Sequence, residues 1–148
     1  MYNDPTLIEI LLVDDDPGDI ELTREALSTS KFKLRISEVH NGVECLDYLH
    51  KRGEYSDALK PDLILLDLNM PFKDGRETLK EIKGDPELRV IPIVILTTSE
   101  DDEDIVKTYA SGANCFVTKP VGLDQLQKVV SMIESFWFTI VKFPIKDE

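Results

Sequence analysis

The feature that most restricts this chain's fold is a repeated alternation, in which a short apolar run is followed by a polar or amphipathic segment. The runs are Ile8–Val13 (IEILLV), Lys33–Val39 (KLRISEV), Leu63–Leu66 (LILL), Ile91–Leu96 (IPIVIL) and Asn114–Val117 (NCFV). Runs this short, rich in Val, Ile and Leu, suit strands buried on both faces of a parallel sheet. The intervening segments carry helix start signals. Asp16-Pro17-Gly18-Asp19 offers an N-cap, a proline at the first helical position and an acid in the first turn. Asn41 with Glu44, Asp74 with Glu77 and Ser99 with Asp102 each place a capping side chain three residues before an acid. Five strands alternating with five helices, without an internal repeat or linker, predict a doubly wound (βα)5 α/β domain. Right-handed crossovers then favour an open five-stranded parallel sheet in the order 2-1-3-4-5, with ligand sites outside the carboxyl ends of the strands.

Composition narrows the class of partner. The 148 residues are one domain's worth, long enough to bury a core without a metal or disulfide staple. Twenty-nine acids against 17 bases give a net charge of −12, which repels phosphate backbones and anionic membranes and predicts no nucleic-acid or membrane partner. Cys45 and Cys115 lie far apart and read as buried packing rather than a disulfide or zinc site. His40 and His50 match no metal-ligand spacing, and there is no P-loop or G-x-G-x-x-G. No apolar run approaches the ~18 residues of a membrane span, and acids stand where a signal peptide would be basic, so a cytoplasmic protein is expected.

The strand ends carry the chemistry. Asp14, Asp15 and Asp16 follow the first strand, Asp67 the third, Thr97 and Thr98 the fourth, and Lys119-Pro120 the fifth. The predicted fold gathers all of these at one rim. Asp16 reads as the cap of the first helix, whereas Asp14 and Asp15 cannot both cap it. Clustered carboxylates repel one another, and a hard divalent cation offsets that repulsion; Mg²⁺ characteristically takes one or two carboxylates with waters and phosphate oxygens. Lys119 adds a positive charge suited to a phosphate oxygen.

The set Asp14-Asp15, Asp67 in DLNMP, Thr97 and Lys119-Pro120 resembles a CheY-type receiver domain of a two-component response regulator, over residues 7 to about 135. The VDDDP start, TTSEDD and the tail ESFWFTIVKFP resemble the phytochrome-associated regulators of cyanobacterial type. The resemblance implies a CheY-like fold in which Asp67 takes a phosphoryl group from a phosphohistidine of a sensor histidine kinase, phytochrome-like by the narrower match. It implies Mg²⁺ held by Asp15, by Asp14 largely through water, by Asp67 and by the carbonyl of Asn69. It assigns Lys119 and the Thr97 hydroxyl to phosphoryl oxygens, and implies a cis Lys119–Pro120 bond. Phe116 falls at the family's aromatic switch position, where a reading as an ordinary core ring stands beside the switch role. The resemblance also implies that Asn69 and Ser99, two positions beyond the acceptor and the threonine, line the route by which water would attack the phosphoryl group.

The tail exceeds what the domain needs. Leu123, Leu126, Val130, Ile133, Trp137 and Ile140 mark one face of a fifth helix, and residues 136–148 extend beyond its core role with Phe136, Trp137, Phe138 and Phe143. A terminal apolar patch of this kind predicts a protein interface, here a homodimer. The whole chain, 1–148, therefore reads as one receiver domain acting as a switch without a fused output domain. Three rival functions compete with this reading. An Mg²⁺-dependent phosphohydrolase needs an acid two residues beyond its nucleophile, where this chain has Asn69. A flavin mononucleotide carrier needs a phosphate cradle where this chain has DDDPGD. A phosphorylation-independent binding module would not need the complete acceptor set.

Overall fold

A computed structural model describes residues 7–28, 33–68, 70, 72–97 and 115–118, without the side chains of Thr97 and 115–118. In chain order the elements are β1 (Leu7–Val13), α1 (Pro17–Leu27), β2 (Lys33–Val39), α2 (Gly42–Leu49), β3 (Leu63–Leu66), α3 (Gly75–Gly84), β4 (Ile93–Thr97) and β5 (Cys115–Thr118). A single 3-10 turn, Gly53–Tyr55, lies between α2 and β3. The strands form one parallel sheet in the order β2-β1-β3-β4-β5, as the alternation predicts. The expected fourth and fifth helices, the Lys119–Pro120 bond and the tail 136–148 lie outside the described residues.

Alternate residues of the inner strands feed two cores. Leu11 and Val13 of β1, Ile64 and Leu66 of β3, and Ile93 and Ile95 of β4 pack with Cys45 and Leu46 of α2 and Leu79 and Ile82 of α3. Ile8, Ile10 and Leu12, Leu63 and Leu65, and Val94 and Leu96 pack with Ile20, Ala26 and Leu27 of α1. Both faces of β1 and β3 are thus covered, which is why those strands read as unbroken apolar runs. Cys45 belongs to the first core, as expected, and burial pushes its thiol up to about 12.

Three strands have bounds other than those of the sequence reading, and one burial pattern differs; β1 starts one residue earlier than its run, at Leu7, and β4 ends one later, at Thr97. The fourth run begins at Ile91, but β4 starts at Ile93 because Pro92 has no N–H for the ladder; its carbonyl still accepts from the Ile64 N–H at 3.0 Å. The last strand sits one residue further on than Asn114–Val117, at Cys115–Thr118. β2 is not buried on both faces: it is the sheet edge, and only Val39 in it is fully buried. Glu9, in the middle of an apolar run, is only 4% exposed, and its carboxylate meets Arg35 of β2 at 3.2 Å, directly opposite in register. The edge position of β2 leaves Arg35 half in water, which makes this acid tolerable inside β1.

The helix starts follow the capping signals. Asp16 caps α1, accepting from the N–H groups of Gly18 (2.8 Å) and Asp19 (3.3 Å). Asn41 caps α2 through the Glu44 N–H at 2.9 Å, while Glu44 reaches back one residue further than expected, to the His40 N–H at 2.8 Å. Asp74 caps α3 through the Glu77 N–H at 3.0 Å. Ser99 and Asp102 lie outside the described residues.

Candidate functional site

The sheet itself sets the floor of the site. β1 and β3 run side by side with Val13 opposite Leu66, so the residues just beyond both strands emerge together. The Asp67 N–H continues the ladder to the Val13 carbonyl at 2.9 Å, and the Asp14 N–H continues it on the other side to Val39 at 3.1 Å. Each aspartate is therefore the last residue hung from the sheet before the chain turns away. Asp14 is 2% exposed and Asp67 7%, whereas Asp15 between them faces water. An oxygen of Asp14 also accepts the Asp16 N–H at 3.0 Å, which closes the turn into α1.

One carboxylate oxygen from each of Asp14, Asp15 and Asp67 lies within 4.8 Å of the others. Among the described residues this is the only group of three possible metal-ligating side chains. Its donors are all oxygen and all anionic, the chemistry of a hard divalent cation such as Mg²⁺ or Mn²⁺ rather than zinc. The donor set therefore fits such an ion.

Two glycines that the sequence reading did not single out hold the surrounding loops in place. A Cβ on Gly75 would stand 2.2 Å from the Asp67 carbonyl oxygen and 2.6 Å from the Leu68 Cα. The Gly75 N–H donates to the Leu68 carbonyl at 2.9 Å, so the β3–α3 loop leaves Asp67 and returns to it. A Cβ on Gly42 would stand 2.1 Å from Thr78 Oγ1 and 2.5 Å from the Lys73 carbonyl, to which the Gly42 N–H donates at 3.0 Å. The available signal was glycine opening two helices directly after a capping Asn or Asp, where close approach rather than helix propensity dictates the residue.

Of the residues expected at the rim, Asp14, Asp15 and Asp67 are brought together, and Asp16 serves as the cap. The Thr97 backbone ends β4, two strands from β1. Phe116 lies in β5, its backbone opposite Ile95. Asn69, Thr98 and Lys119 lie outside the described residues, as do Phe136, Trp137, Phe138 and Phe143. His40 contacts Glu38 at 2.9 Å and Glu44 at 3.6 Å, on the surface. Its hydrogen bond is the main cause holding the Glu38 carboxyl below the usual range, with help from Arg24. No helix among the described residues is long and apolar enough to cross a membrane.

An acidic pocket at the carboxyl ends of β1 and β3 in a 2-1-3-4-5 parallel sheet stands at the ligand position of a doubly wound α/β fold, with oxygen donors suited to a divalent cation. Residues 10–131 match the response regulator receiver domain, and the chain belongs to that family of two-component phosphoacceptors. It is 44% identical over 135 residues to the response regulator Rcp1 of Synechocystis sp., covering 91% of this chain and 92% of that protein. The crystal structure of the phosphorylated cyanobacterial phytochrome response regulator RcpA superposes with a TM-score of 0.86 at 47% identity, over 93% of this chain and 98% of that one. The Mn²⁺-bound form of Rcp1 gives 0.84 at 44% identity, over 93% and 99%.

Proposed function

We propose that this chain is a single receiver domain that takes a phosphoryl group onto Asp67 from a sensor histidine kinase of phytochrome type and signals through the change in its surface. The observation that carries this reading is the convergence of the Asp14, Asp15 and Asp67 carboxylates to within 4.8 Å at the end of the sheet. The phytochrome pathway is supported by the 47% and 44% identity to RcpA and Rcp1.

In the reaction, a carboxylate oxygen of Asp67 bonds to phosphorus as the P–N bond of the phosphohistidine breaks. The electron pair leaves with the imidazole, which takes a proton from solvent, and an acyl phosphate remains. Asp14, Asp15, Asp67 and the Asn69 carbonyl would hold Mg²⁺. When bound, that ion neutralises charge on the phosphoryl oxygens. The Lys119 ammonium pairs with one phosphoryl oxygen and the Thr97 hydroxyl donates to another. Phe116, without a hydroxyl, takes part in the switch through burial alone. The protein catalyses this transfer, and the later hydrolysis, only on itself. It works in the cytoplasm, where ATP charges the kinase.

Borohydride reduction of the chain after treatment with acetyl phosphate and Mg²⁺ tests the acceptor. Acyl-phosphate reduction should convert Asp67 to homoserine, found by peptide mass; conversion at another aspartate, or none, overturns the assignment. The tail 136–148, with Phe136, Trp137, Phe138 and Phe143, supplies a homodimer surface. Sedimentation showing a monomer at micromolar concentration, with and without phosphorylation, removes the dimer.

A further inference from the structure

Phe72 occupies a place that its chemistry does not favour. Its φ is 64°, in the left-handed region that side chains other than glycine and asparagine rarely adopt, and it is 88% exposed, the most exposed large apolar side chain among the described residues. The neighbouring residues are tied down. Met70, two residues earlier, is buried in the core under α2 and α3. Lys73, directly after it, gives its carbonyl to the Gly42 N–H and its ammonium to Glu81. Asp74 is fixed as the cap of α3. The ring is therefore held out of a loop anchored on both sides, and held there against backbone preference.

The loop's position says what the ring can meet. Both its ends lie at Asp67, because Gly75 packs on the Asp67 carbonyl. Three residues of chain put the Phe72 backbone within about 11 Å of Gly75. Any protein that delivers phosphorus to Asp67 must come down over this rim. The chain's net charge of −12 gives an anionic phosphoryl donor no long-range attraction to this rim. Apolar contact is the short-range attraction that the exposed ring supplies. Val43 stands nearby at the start of α2: it is 46% exposed and follows Gly42, whose N–H donates to the carbonyl of Lys73, the residue after Phe72.

We propose that Phe72 is a preorganised anchor for the phosphohistidine-bearing kinase, with Val43 beside it, and that it sets which donor this chain accepts. A rigid aromatic side chain already in its bound position loses little freedom on docking, which is where such anchors gain affinity. The inference rests on Asp67 being the acceptor. Phe72 touches neither the phosphoryl group nor its ligands; it positions the donor.

The test compares a small donor with a protein donor. The wild-type chain, Phe72→Asn and Phe72→Gly are each phosphorylated with phosphoramidate, and separately with the ATP-charged histidine-kinase region of a cyanobacterial phytochrome. Both variants accept the left-handed backbone, so they should fold, and Phe72→Gly should melt roughly 2–4 °C higher. Phosphoramidate needs no docking surface and should label all three alike. Transfer from the kinase should fall about tenfold or more in kcat/KM for both variants, mostly through KM. Val90→Ser is the control: Val90 is 67% exposed but precedes β4, at the end of the sheet away from Asp67, and should transfer normally. Unchanged kinase transfer in the Phe72 variants, or an equal loss in Val90→Ser, overturns the proposal, whereas a wild-type chain that this kinase cannot charge overturns the phytochrome reading beneath it. Failure of phosphoramidate to label the wild-type chain overturns instead the acceptor reading beneath it.

Discussion

The Asp67→Asn chain should take no phosphoryl group from acetyl phosphate, a loss of at least about 10³-fold, the scale on which removal of a nucleophile is felt. An amide is isosteric with the carboxylate, so the fold has no reason to change. The same substitution should raise stability when a chelator is present. Asp14 is buried with Asp67, and ionised carboxylates this close repel by roughly 1–3 kcal/mol per pair at the dielectric of a protein surface. Melting in chelator should therefore place Asp67→Asn above the wild type. Millimolar Mg²⁺ should reverse the order, because only the three-carboxylate pocket gains fully from binding the ion. An Asp67→Asn chain that loses its label but gains as much from Mg²⁺ as the wild type would separate the acceptor from the cation site.

Gly75→Ala should be the most damaging change of a single methyl group. The added carbon would stand 2.2 Å from the Asp67 carbonyl oxygen and 2.6 Å from the Leu68 Cα, and both obstructions are backbone, which cannot swing aside. Overpacking of this kind costs about 3 kcal/mol, or about 10 °C in melting temperature for a domain of this size. Relief of the clash moves Asp67 away from its partners, and a displacement of about 1 Å costs phosphorylation on the order of 10²-fold. Gly84→Ala is the matched control: a Cβ there meets nothing within 4 Å, and the change should be neutral or slightly stabilising. Equal melting temperatures for the two variants would show that the close approach at Gly75 does not matter.

The sheet order and the caps of the first three helices were legible because each depends on local chemistry. Asp16, Asn41 and Asp74 announce the helices they cap, and the Leu and Ile content of β1 and β3 announces burial on both faces. The acidic pocket was legible once the fold was known, since the strand-end rule turns Asp14, Asp15 and Asp67, distant in sequence, into neighbours. Four features escaped for physical reasons. Pro92 delays β4 because a missing N–H matters only when the partner strand is known. Gly42 and Gly75 answer to contacts made across the chain. Phe72 looks like any phenylalanine until its backbone angle and exposure are seen, and Glu9 is explicable only through an arginine opposite it on an edge strand.

The hydrogen bonds that suspend Asp14 and Asp67 from the sheet make the bottom of the pocket as durable as the domain itself: it cannot soften without the β-ladder coming apart. The turns above it hang from fewer such bonds, so a substitution there can reshape the mouth without disturbing the anionic base. The architecture thus separates a socket fixed by the ladder from a collar built of loops.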